Sequence, residues 1–94
     1  MKDIAVYGAG GLGREIACLI RMINEKKPTW NFVGFFDDTP SYKGTKNEYG
    51  EIYGGYEVLN EWKTPISIVI SVGSPNALRA ISSRITNPLV DFPN

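Results

Sequence analysis

The apolar positions fall into short blocks whose spacing changes character along the chain. Ile4-Ala5-Val6 is a continuous run and predicts a strand over about Asp3–Tyr7, of the kind buried on both faces at the centre of a parallel sheet. Leu12, Ile16, Leu19, Ile20 and Ile23 then recur at spacings of four, three, one and three, which predicts a helix with one apolar stripe facing that sheet. Cys18 and Met22 lie beside the stripe, at the core or its margin. Pro28 closes the helical stretch after the polar run Asn24–Lys27. Phe32-Val33-Gly34-Phe35-Phe36 predicts a second strand ending at Asp37 and Asp38. From Thr39 to Glu51 no period survives, and so long a polar stretch is either a functional loop, with Tyr42, Lys43, Lys46 and Tyr49 over a ligand, or a solvated one.

Order returns with a short extended segment at Ile52-Tyr53 and a turn at Gly54-Gly55. A brief helix is expected over Tyr56–Trp62, with Val58, Leu59 and Trp62 on one side. Ile66–Val72 predicts a third strand, and Leu78, Ile81 and Ile85 a helix after it, with Ser74 as cap and Pro75 in its first turn. Val90 and Phe92 suggest a last short strand. Strands alternating with helices define an α/β class: a small parallel sheet of about four strands with helices on both faces.

Composition narrows the picture. Ninety-four residues suffice for one small domain. Ten basic and ten acidic residues give no net charge, which argues against nucleic acid and anionic membrane as partners. No apolar run reaches the roughly 20 residues of a membrane span. One cysteine excludes an internal disulfide framework and fits a reducing, cytoplasmic setting. The sequence holds no histidine, which removes His-based triads and leaves a zinc site without its usual ligands. Such a chain is better equipped to hold a substrate than to transform it.

The first strand runs directly into Gly8-Ala9-Gly10-Gly11-Leu12-Gly13, a G-x-G-x-x-G between strand and helix. In that context Gly8 serves the tight turn, Gly10 the close approach of backbone to phosphate, and Gly13 the packing of helix on strand. Helix amides and the positive end of the dipole then face whatever sits over Gly10 and Gly11. Asp37 lies 24 residues past Gly13, near the spacing at which an acid takes ribose hydroxyls; alternatively one aspartate of the pair merely opens the turn before Pro40. Gly73-Ser74-Pro75-Asn76 forms a second strand-to-helix turn opening on the same side, with Arg79 either a phosphate contact or a solvated helix residue.

Four segments together, Ile4–Glu15, Gly34–Asp38, Gly54–Leu59 and Ser71–Arg79, resemble the N-terminal domain of the PglD-like sugar O- and N-acyltransferases in order and spacing. The resemblance covers essentially the whole chain. It implies a Rossmann-like domain that binds a UDP- or CMP-linked sugar, in a homotrimeric enzyme whose left-handed β-helix binds acetyl-CoA and carries the catalytic histidine. It places Gly10, Gly11 and Gly13 at the phosphates, Asp37 and Asp38 near the nucleoside, and Ser74 and Asn76 at the opposite lip. On this view residues 1–94 are a single substrate domain that stops before the β-helix, needing no cofactor of its own and inactive alone. Two departures stand out: Leu12 occupies a position where many relatives have histidine, and Gly10 one where they have serine. Arg14 is then the candidate to supply charge beside the turn. Two other readings share the glycine turn: the NAD-binding part of an oxidoreductase or redox sensor, and an assembly or regulatory module whose ligand site has decayed.

Overall fold

A computed structural model describes residues 1–93. Four parallel strands, β1 (Lys2–Tyr7), β2 (Trp30–Phe36), β3 (Ile66–Ile70) and β4 (Val90–Asp91), lie in the order β2-β1-β3-β4. The helices α1 (Gly11–Lys26), α2 (Tyr56–Asn60) and α3 (Pro75–Arg84) connect them, with a 3₁₀ turn at Pro40–Tyr42. The α/β class, the strand count and helices on both faces all agree with the sequence pattern.

Chain direction explains which helix covers which face. The β1-to-β2 crossover moves one way across the sheet, whereas β2-to-β3 and β3-to-β4 move the other way. Right-handed crossovers therefore put α1 on one face and both α2 and α3 on the opposite one. The core divides accordingly. Ile4, Val6 and Phe35 pack with Ala17 and Ile20 of α1, while Ala5, Tyr7, Phe36, Ile66 and Ile68 pack with Leu59 of α2 and, less deeply, Ile81 and Ile85 after it. Alternation along β1 and β3 feeds both layers, as a strand covered on both faces requires.

The helix face differs from the expected one. Leu12, Leu19, Met22 and Ile23 are exposed, and the buried positions of α1 are Gly13, Ala17 and Ile20, with Ile16 partly covered. The small residues decide this. A Cβ on Gly13 would lie 1.8 Å from the Gly8 carbonyl oxygen, so the helix sits closer to the sheet than any side chain there would permit. The Gly13–Ala17–Ile20 side is drawn inward, and the larger side chains are rotated to the flank.

The stretch 39–51 is also more ordered than its composition suggests. Glu51–Tyr53 runs along the outer edge of β2, with Phe35 N–H donating to Glu51 O at 2.8 Å and Tyr53 N–H to Phe35 O at 3.0 Å. Gly34 makes this possible, since a Cβ there would meet Glu51 O at 2.6 Å. The β1–β2 register shifts beside it, between Ile4 and Ala5. Ile52 thereby becomes buried core. At the other edge β4 holds Val90 and Asp91 only, so Phe92 lies beyond the strand and is exposed. Ser71 and Val72 likewise fall past the end of β3.

Candidate functional site

The site begins where β1 ends. Gly8 has φ +112°, a left-handed conformation that side chains rarely adopt, and a Cβ there would strike Ser71 Oγ at 2.3 Å. The chain then turns through Ala9 and Gly10 into α1. Gly10 is the N-cap residue and offers no side-chain cap, and the first turn carries no acid. Among the described residues nothing accepts from the amides of Gly10, Gly11, Leu12 and Gly13. Gly10 and Gly11 also have open space where their Cβ atoms would stand. The result is an exposed set of backbone donors at the positive end of a 16-residue helix, which suits an anionic oxygen.

Three strand ends are tied together around this turn. Gly8 N–H donates to Phe36 O at 2.6 Å, and Ala9 N–H donates to Asp37 Oδ2 at 2.8 Å. From β3, Ser71 N–H donates to Tyr7 O at 2.8 Å, and the Ser71 hydroxyl lies 3.0 Å from both Tyr7 O and Gly8 O. The turn is therefore braced from both sides. It also lies at the topological switch point: the chain crosses from β1 to β2 on one side and then back past β1 to β3 on the other, opening a crevice beyond the carboxyl ends of β1 and β3.

The two aspartates have separate surroundings. Asp37 Oδ2 holds the turn through Ala9 while Oδ1 accepts from Thr39 N–H at 2.8 Å, so its carboxylate is fixed beside the amides with lone pairs to spare. Asp38 faces the α2–α3 layer. Its Oδ1 accepts from the Tyr7 hydroxyl at 2.5 Å and from Tyr56 N–H at 3.4 Å, and its Oδ2 lies 3.7 Å from Arg84 Nη1. Burial and the bond to Asp38 both push the Tyr7 phenol well above the ordinary tyrosine range, so Tyr7 stays neutral and serves as a donor. A pocket of about 330 Å³ runs from Asp37 and Asp38 past Thr39, Lys43 and Tyr56 to Arg84. Another hollow, about 400 Å³ between Ala17, Phe32 and Tyr49, lies away from the turn, and the Asn24 side chain at its rim is occupied by Thr29 and Trp30.

The remaining sequence-predicted residues are less closely joined. Ser74 caps α3, accepting from Ala77 N–H at 3.0 Å, and Arg79 donates to Asn76 Oδ1 within the same exposed first turns. No hydrogen bond or ion pair links these three to the glycine turn among the described residues. Arg14 points to Glu48 Oε1 at 3.8 Å, and Leu12 is exposed at the start of α1. Sequence reasoning missed Ser71, the Tyr7 hydroxyl and Arg84. Only Ser71 left a trace: a small polar residue closes the apolar alternation Ile66, Ile68, Ile70 opposite a G-x-x-x-x-G pair that demands close packing.

Fold and site together define a Rossmann-like α/β domain with an open, acid-flanked glycine turn. The model of the family described as "PglD N-terminal domain" matches residues 3–85. The chain belongs to that family. No curated protein matches the sequence. Among solved structures, the chain is similar to UDP-D-quinovosamine 4-dehydrogenase from Vibrio fischeri, with a TM-score of 0.71, 20% identity, and coverage of 99% of this chain and 79% of that one. It is also similar to a structure of RSP in complex with β-NADH, with a TM-score of 0.62, 16% identity, and coverage of 100% of this chain and 54% of that one. At these identities the likeness establishes the fold.

Proposed function

We propose that this domain binds a nucleotide-linked sugar, with the diphosphate on the amides of Gly10–Gly13 and the nucleoside beside Asp37. One observation carries the reading: a fixed carboxylate and a row of unbonded helix amides share one turn, braced from β2 and β3 at the switch point. Amide donors and helix dipole suit the phosphates, and Asp37 can accept from ribose hydroxyls or a uracil N–H. Family membership and a structural relative whose name specifies a UDP-sugar support this ligand class.

In the finer reading, the sugar is the acceptor of an acetyl group from acetyl-CoA in a cytoplasmic, trimeric enzyme. This chain then contributes positioning, holding the remote nucleotide so that the acceptor group meets the thioester in attack geometry. In this reading a histidine of the acetyl-CoA-binding β-helix supplies the chemistry, and residues 1–94, which contain no histidine, supply the grip on the substrate. Arg14, Ser74, Asn76 and Arg79 are assigned to the sugar side of the cleft, and Asp38 to the wall behind the nucleoside. Leu12 offers that sugar an apolar contact.

The test is protein-observed NMR of the domain, titrated separately with UDP, a UDP-amino sugar, CMP-sialic acid, NAD and acetyl-CoA. Saturable shifts at Gly10, Gly11 and Asp37 with a sugar nucleotide, absent with NAD, are expected. Shifts with NAD alone would turn the assignment to a dinucleotide module, and silence from all five would leave an assembly module.

A further inference from the structure

We propose that α1 is a self-association surface, on which a second copy of this chain packs with its own α1 antiparallel. This does not depend on the ligand reading. Leu19, Met22 and Ile23 are 56, 53 and 47% exposed, and they form one flank of a single helix. Isolated exposed apolar residues need no explanation, but a contiguous row does. Leu19, Met22, Ile23 and the Lys26 stem border a shallow groove of about 320 Å³.

Spacing and charge specify the occupant. Positions 15, 19, 22 and 26 are spaced four, three and four residues apart, the interval at which one helix presents a continuous seam to another. Glu15 and Lys26 bracket Leu19 and Met22 on this seam, and neither has an ion-pair partner among the described residues. They stand about 16 Å apart along the axis, too far to meet within one helix. A parallel pair would set Glu15 against Glu15 and Lys26 against Lys26. An antiparallel pair, with its two-fold axis between Leu19 and Met22, sets Glu15 against the partner's Lys26 at both ends and Leu19 against the partner's Met22. The surface is thus self-complementary, as an isologous contact requires. The other cations of α1 are directed elsewhere: Arg14 to Glu48, and Arg21 over the Tyr49 ring at 4.6 Å from its centroid.

Sedimentation equilibrium of the 94-residue chain, from low micromolar to near-millimolar concentration, tests this. A reversible dimer is expected. Glu15→Lys or Lys26→Glu alone should weaken it about tenfold, because each reversal turns two attractions into two repulsions. The double reversal should restore it, and Leu19→Asp should abolish it. All three sites are solvent-facing, and circular dichroism checks that each variant folds. A monomer at every concentration overturns the proposal. So does a dimer indifferent to the single reversals, or one that the double reversal fails to restore.

Discussion

Single atoms separate the three glycines of the G-x-G-x-x-G motif, Gly8, Gly10 and Gly13. Gly8→Ala forces a Cβ into Ser71 Oγ from a positive-φ backbone, and should cost about 1–3 kcal/mol in urea denaturation. Gly13→Ala sets the new carbon against a backbone oxygen that cannot swing aside, and should cost at least as much. Gly10→Ala meets nothing within 4 Å and has no positive φ, so stability should stay within about 0.5 kcal/mol while binding of a sugar nucleotide weakens. The motif made these three roles legible, since strand, glycines and helix followed one another in order. Ser71 was not legible, because its importance comes from a partner 63 residues away. Tyr7 hid its role in the same way, reading as one more strand residue. Its raised pKa has a consequence for stability. Above pH 10 the unfolded chain loses the Tyr7 proton while the folded chain keeps it, so Tyr7's contribution is complete below that pH and declines above it. Alkaline unfolding followed by tyrosinate absorbance should therefore be less steep in Tyr7→Phe than in the parent.

Elements are joined here by side chains that pattern alone does not reveal. Apolar periodicity located α1 and the helix-capable stretch at Tyr56 to within a few residues, but it turned α1 by part of a revolution. Counting large side chains favours Leu12, Leu19 and Ile23 as the inner stripe, whereas the sheet accepts Gly13 and Ala17 because close approach buries more backbone and Cβ surface than a bulky residue held at a distance. The polar stretch 39–51 misled for the opposite reason. Its order comes from backbone pairing with β2, which leaves no mark on hydropathy. Between turn and strand, Asp37 is the connector. Asp37→Ala removes the acceptor for Ala9 and Thr39 N–H and should cost about 1–2 kcal/mol, whereas Asp37→Asn keeps one accepting oxygen and should cost less. Equilibrium unfolding of the two variants measures the difference. An equal loss from both would mean that the negative charge beside the helix, rather than the bond geometry, stabilises the turn.

Across the whole molecule, stability is distributed unevenly about β1. That strand pairs on both sides and carries four consecutive buried residues, Ile4–Tyr7. At the far edge α3 has no fully buried residue and β4 spans two. Local opening follows burial and hydrogen bonding, so α3 and β4 should open as a unit well below the free energy of global unfolding. Native-state hydrogen exchange checks this: amides of β1 and β3 should exchange only through global unfolding, those of α3 much earlier. Equal protection across the sheet would refute it. The weak edge includes Ser74, Asn76 and Arg79, the residues assigned to the sugar end of the cleft. A ligand gripped by the glycine turn and by α3 together must restrain that edge, and protection in α3 should then rise with ligand concentration, by up to RT ln(1 + [L]/Kd). A ligand held by the turn and Asp37 alone leaves the α3 opening untouched. The exchange of about ten amides thus reports whether the crevice closes from one side or from both.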